Sequence, residues 1–207
     1  MRLEHSGAAD GRILAAVVTF DGGDGLGAVY ESTDDGGSFH QVGTVGDPAA
    51  SGGLGLCCAT LYELPRRVGG LAAGTLLWAA SVGQDAPDRR MAIRVFRSTD
   101  QGRRWSYLST VATASNDRGL WEPEFSLDAR GNLVCHYSDE TDGVHSQKLV
   151  AARSSDGLTW SGHHDTVASD LGSDRRRRTA GTASTRRRSP GHPRRAIPGE
   201  GCCWWVR

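Results

Sequence analysis

Two short stretches of this chain concentrate the groups that could do chemistry. One is Asn116-Asp117-Arg118-Gly119-Leu120-Trp121-Glu122-Pro123-Glu124-Phe125; the other is Cys135-His136-Tyr137-Ser138-Asp139-Glu140-Thr141-Asp142. The first offers a carboxylate, Glu122, beside an aromatic, Trp121, and a cation, Arg118. The second offers Asp139 and Glu140 just after Tyr137. Carboxylates gathered beside an aromatic and an arginine suit glycosidic bond cleavage: one carboxyl with a raised pKa protonates the leaving oxygen, and another attacks or stabilises the sugar cation. On this reading Glu122, Asp139 and Glu140 are the candidate catalytic residues. Trp121, Arg118 and Tyr137 are the candidate substrate-binding residues, for an oligosaccharide or glycan. The same residues also have plainer readings. Glu122 before Pro123 can end a strand as a solvated carboxylate, and Asp139, Glu140 and Asp142 can form an acidic loop.

No cofactor is called for, and no metal site. His163-His164 has no partner at ligand spacing. The five cysteines, at 57, 58, 135, 202 and 203, give neither a zinc spacing nor a disulfide framework. The glycine-rich "SGGLGL" before Cys57 lacks the lysine and hydroxyl residue of a phosphate loop.

The two stretches meet only if a hairpin joins them, and "LDARGNL" between them reads as that hairpin. The end of one strand and the start of the next then share a rim. The hairpin belongs to a repeat. Ser32-Thr33-Asp34-Asp35-Gly36-Gly37-Ser38-Phe39 recurs as Ser98-Thr99-Asp100-Gln101-Gly102-Arg103-Arg104-Trp105. It recurs again, one residue shorter, as Ser154-Ser155-Asp156-Gly157-Leu158-Thr159-Trp160. Each copy follows a strand-like run. Upstream of each, at offsets of 21, 24 and 23 residues, lies a glycine-led strand starting at Gly11, Gly74 and Gly131. The copies are 66 and 56 residues apart. Four short strands per unit, with no helical periodicity between them, point to blades of a β-propeller.

The motif S-x-D-x-G-x-x-[W/F] resembles the Asp box of sialidase-like propellers. The box residues here are Ser32, Asp34, Gly36, Phe39; Ser98, Asp100, Gly102, Trp105; and Ser154, Asp156, Gly157, Trp160. Its logic is that of a turn: the Asp accepts backbone N–H bonds, glycine takes a positive φ, and the aromatic tucks back between strands. The resemblance implies a structural role on the face opposite the active site. "GLWEP", a hairpin and then "YSDE" are similar to the exo-arabinanase branch of that superfamily, six-bladed exo-acting glycosidases, over roughly residues 2–168. That likeness implies that Glu122 matches one of two catalytic glutamates, with the second in a later blade. Sialidases use an arginine triad and a tyrosine nucleophile, toward which only Arg118 and Tyr137 stand here. The fold expected is all-β, about three four-stranded blades of a six-bladed propeller. The function expected is exo-acting glycoside hydrolysis of sialidase or arabinanase type, inactive or weak in this chain. The alternative is a non-catalytic propeller that binds carbohydrate or protein.

The chain's formal charge of zero averages two unlike parts. Residues 171–207 carry ten arginines against Asp174 and Glu200, a net +8, leaving −8 on the rest. The body is therefore read as residues 1–169 and an Arg/Pro-rich disordered tail as 170–207. The tail has three readings: a binder of nucleic acid or an anionic surface, a linker, and the product of a frameshift in GC-rich codons. Its composition, ending "CCWWVR", matches the third best. Nucleic acid and an obligate partner are not expected. No run of 18 apolar residues exists to span a membrane, and the N-terminus reads poorly as a signal peptide.

Overall fold

A computed structural model of the chain describes residues 1–168. The tail expected over 170–207 lies outside the described residues. Eleven strands run in order: β1 (Ile13–Asp21), β2 (Asp24–Ser32), β3 (His40–Gly46), β4 (Leu56–Glu63), β5 (Leu76–Val82), β6 (Ala92–Ser98), β7 (Ser106–Thr113), β8 (Leu120–Leu127), β9 (Leu133–Asp139), β10 (Lys148–Ser154) and β11 (Ser161–Ala168). They form three antiparallel meanders, β1-β2-β3, β4-β5-β6-β7 and β8-β9-β10-β11. No α-helix occurs among the described residues.

The sheets stack face to face, and the pattern of β5 shows how. Its seven residues, "LLWAASV", are all buried. Successive side chains of a strand point to opposite faces. Leu77 and Ala79 accordingly join a core with Leu133, Cys135 and Val150 of the third sheet. Trp78, Ala80 and Val82 join a core with Val29 and Val45 of the first. An unbroken apolar strand is what a sheet covered on both faces requires. The fit is tight at Gly27, where a Cβ would stand 2.6 Å from the Trp78 ring. β4 and β8, the first strands of their sheets, pack on each other, and β4 also packs on β1. This is the arrangement of propeller blades around an axis.

The first blade departs from the expected four strands. Its innermost segment, "RLEH", is reduced to one bridge, Arg2 with Ile13, flanked by Leu3 N–H donating to the Arg12 carbonyl at 2.9 Å. The three serine–aspartate turns connect the third and fourth strands of each unit. In each, the serine hydroxyl donates to the aspartate: Ser32 to Asp34 at 2.7 Å, Ser98 to Asp100 at 2.9 Å, Ser154 to Asp156 at 2.9 Å. The same hydroxyl accepts the N–H of Gly36, Gly102 or Gly157 at 2.8–2.9 Å. The aspartate then accepts from the returning backbone at Ser38, Arg104 or Thr159, each at 2.9 Å. The glycines have φ of 91°, 84° and 76°, where a side chain is strained.

The aromatics that end the turns do not all behave as expected. Trp160 lies against the core between the second and third sheets and donates Nε1–H to Ser109 Oγ at 3.0 Å; Trp105 packs between the first two sheets. Phe39, expected to tuck in likewise, is 45% exposed. Trp105 and Trp160 each have a preceding blade to lean on, and the first blade has none among the described residues.

Candidate active site

Glu122 sits where β8 leaves its ladder. Trp121 pairs with Ser138 and Glu124 with His136, so Glu122 and Pro123 oppose the single residue Tyr137. This is a β-bulge, a device that re-aims a side chain. Glu122 has φ 57°, a left-handed conformation uncommon for a residue with a Cβ. Its exposed carboxylate accepts one long hydrogen bond, from Ser138 Oγ at 3.4 Å.

The same bulge recurs one blade earlier. In β4, Cys57 pairs with Ser81 and Thr60 with Ala79, so Cys58 and Ala59 oppose Ala80. Cys58 also has φ 57°. Cys58 and Glu122 are thus equivalent positions on the first strands of consecutive blades, and those strands touch. Thr60 Oγ–H donates to Glu124 Oε1 at 3.1 Å, joining the next equivalent pair. The Cys58 thiol is lowered from its ordinary value, first by its contact with Cys57, against the opposing effect of burial, and then by the Glu122 backbone N–H beside it. Neither Cys58 nor Thr60 was singled out from the sequence. The usable signal was the alignment of "LCCATL" on "LWEPEF", which shares few residue types.

The other candidates divide. Glu140 closes the loop ahead of β8: its Oε2 accepts from Gly119 N–H at 3.1 Å, and its own N–H donates to the Gly119 carbonyl at 3.1 Å. Trp121 is half-buried over that loop. A Cβ on Gly119 would fall inside its indole, and the Arg89 guanidinium stands 5.4 Å from its ring centroid. Arg118 is exposed on the same loop, its N–H donated to Asn116 Oδ1 at 3.0 Å. Trp121 is thus the chain neighbour of Glu122, and Arg118 and Glu140 belong to the loop that leads into β8.

Tyr137 and Asp139 do not join them. They precede and follow Ser138 on β9 and so face the opposite way from it. Both line a cleft of about 600 Å³ between the second and third sheets, with Thr113, Leu120, Thr141 and His163. Tyr137 Oη lies 3.0 Å from His163 Nδ1, and burial, reinforced by Asp139, pushes its phenol pKa upward. Asp139 Oδ1 accepts from Thr141 N–H at 2.7 Å. The expected grouping of Glu122 with Asp139 and Tyr137 is therefore corrected by one residue of strand alternation. Asp142 belongs to the acidic loop alone. The His145 ring at 2.7 Å, helped by the His145 and Val144 N–H groups, holds its carboxyl well below the usual range. No cluster of three or more His, Cys, Asp or Glu that could hold a metal occurs among the described residues.

No family profile and no curated protein matches the chain. Solved structures do. The GH93 α-L-arabinofuranosidase of Fusarium graminearum, in complex with arabinobiose, is 28% identical with a TM-score of 0.70, over 82% of this chain and 48% of its own. The Penicillium chrysogenum α-L-arabinanase complexed with arabinobiose is 28% identical with a TM-score of 0.69, over 78% of this chain and 47% of its own. A Dyadobacter fermentans protein of unknown function, at 20% identity and a TM-score of 0.51, shares the fold. The chain resembles the exo-arabinanase branch of the sialidase-like propellers and spans about half the length of the structures it matches.

Proposed function

We propose that this chain carries one half of an exo-acting glycoside hydrolase site of the arabinanase type, with Glu122 as a catalytic carboxylate. The observation that carries the reading is the Glu122 bulge. Backbone strain of this kind is sustained at about 1–3 kcal/mol and clusters where a side chain must be aimed. Of the three carboxylates marked from the sequence, Asp139 and Glu140 hold backbone N–H groups, while Glu122 stays exposed beside Trp121. Trp121 offers a ring face for a sugar, and Arg118 a cation at the same loop. The 28% identity to enzymes solved with arabinobiose supports an arabinan-type oligosaccharide as the substrate class. Tyr137 argues against the sialidase-type reading. A buried phenol with a raised pKa, bonded to His163 away from Glu122, is poorly placed as that site's nucleophile.

A retaining or inverting mechanism needs two carboxyl groups across the scissile bond. The second is expected from a later blade, so turnover by these three blades is expected to be weak. A non-catalytic carbohydrate-binding module is the second reading, favoured by the commitment of Asp139 and Glu140 to the backbone. Saturation-transfer NMR and sugar release, run on arabino-oligosaccharides and on sialosides, separate the readings. Binding of the arabino-oligosaccharide with slow release of its terminal sugar is expected. Binding with no release supports the module, and preference for the sialoside overturns the substrate class.

A further inference from the structure

Adjacent residues in a regular strand point to opposite faces, so neighbouring cysteines in a strand keep their sulfurs apart. Cys57 and Cys58 do not follow that rule. The bulge that starts at Cys58, with its φ of 57°, turns the second side chain back toward the first, and the two sulfurs stand 3.0 Å apart. Cys57 is 2% exposed, while Cys58 is only partly covered. The pair lies at the position of the second blade that Glu122 occupies in the third. We propose that Cys57 and Cys58 form a reversible disulfide between adjacent residues, a dithiol–disulfide modification site at the inner rim of the blades.

The sequence of events follows from access. Cys58, the more exposed of the two and with its thiol lowered chiefly by the contact with Cys57, attacks one sulfur of a small-molecule disulfide. A mixed disulfide forms at Cys58, and one small thiolate leaves. Cys57 loses its proton and attacks the Cys58 sulfur, expelling the second small thiolate. The two cysteines lose two electrons and two protons between them, and the small disulfide is reduced to two thiols. Consecutive residues across a trans peptide hold their Cα atoms about 3.8 Å apart. That is shorter than the roughly 4.4–6.8 Å of ordinary disulfides. The bond is therefore strained and easily reversed, which suits a redox-responsive site better than a structural staple. Cys135, wholly buried with its thiol pushed up mainly by that burial, is the internal control.

The test does not depend on the hydrolase reading. The folded chain is equilibrated in mixtures of reduced and oxidised glutathione, quenched in acid, alkylated and cut with trypsin. The peptide 13–66 contains Cys57 and Cys58, no other cysteine, and no internal cleavage site before Arg66. In oxidising mixtures it is expected to lose two hydrogens and take no alkyl group; dithiothreitol restores two alkylated thiols. Cys57→Ser is expected to stop at a glutathione adduct on Cys58. A peptide that stays doubly alkylated at every ratio, or ends as a stable glutathione adduct in the unmutated chain, overturns the proposal. So does a disulfide that joins two chains.

Discussion

Asp34, Asp100 and Asp156 look like the acidic residues of an active site and are instead the pins of three turns. Where their oxygens go decides this. Asp34 accepts from the hydroxyl and N–H of Ser38 and the hydroxyl of Ser32, which together hold its carboxyl at about 2, below the ordinary 3.8. A carboxyl lowered by folding contributes stability above its unfolded pKa, and the contribution is lost as pH falls through the folded one. The contribution of Asp34 is thus complete above about pH 4 and disappears toward pH 2. A carboxyl-carbon NMR titration is expected to place its midpoint near 2; a midpoint at the ordinary value would mean that the turn does not hold it. Glu122 is the converse case. The sequence singled it out by its neighbours Trp121 and Arg118, and the structure leaves its carboxylate exposed where Asp139 and Glu140 are engaged. Sequence alone could not tell these three apart, because the difference lies in which backbone N–H groups each oxygen meets.

At the scale of the element, the three glycine-led strands and the three turns were legible because each rests on residue identity. A positive φ calls for glycine, and an Asx turn calls for aspartate. The bulges in β4 and β8 were not legible. Their left-handed residues are a cysteine and a glutamate, which carry no sign of that conformation. A shared rim grouped Asp139 with Glu122, but a rim does not fix which face a side chain takes, and Tyr137 and Asp139 line the cleft toward the second sheet. Packing between blades was readable in kind but not in detail: "LLWAASV" announces a strand covered on both faces, but not that Trp78 lies over Gly27. Gly27→Ala is expected to destabilise the fold by about 1–3 kcal/mol, as overpacking does. Gly70→Ala, where an added Cβ meets nothing within 4 Å, serves as the control. Urea unfolding of both variants checks this, and equal midpoints would mean that the first two sheets are not in close contact.

Across the whole molecule, three stacked sheets leave two outer faces without a neighbour among the described residues. On the first sheet Val17 is 51% exposed, and on the third Leu149 is 45% and Val167 57% exposed. Aliphatic side chains on an uncovered sheet face are a liability for association. The chain is expected to self-associate with rising concentration, and Val17→Lys with Leu149→Lys to suppress this in light scattering. An unmutated chain that stays monomeric at high concentration would show that these faces are not sticky. The likeness to the arabinofuranosidase and arabinanase structures covers about half their length. We propose that Glu122 does the chemistry that the rim offers. This role is tested most directly by comparing the rate of terminal sugar release from arabino-oligosaccharides by the chain and by its Glu122→Gln variant, with binding of both followed by saturation-transfer NMR. Both are expected to bind, with release in the variant lower by at least about a hundredfold, the usual scale for a lost general acid or base. Equal rates in the two would rule out that role for Glu122.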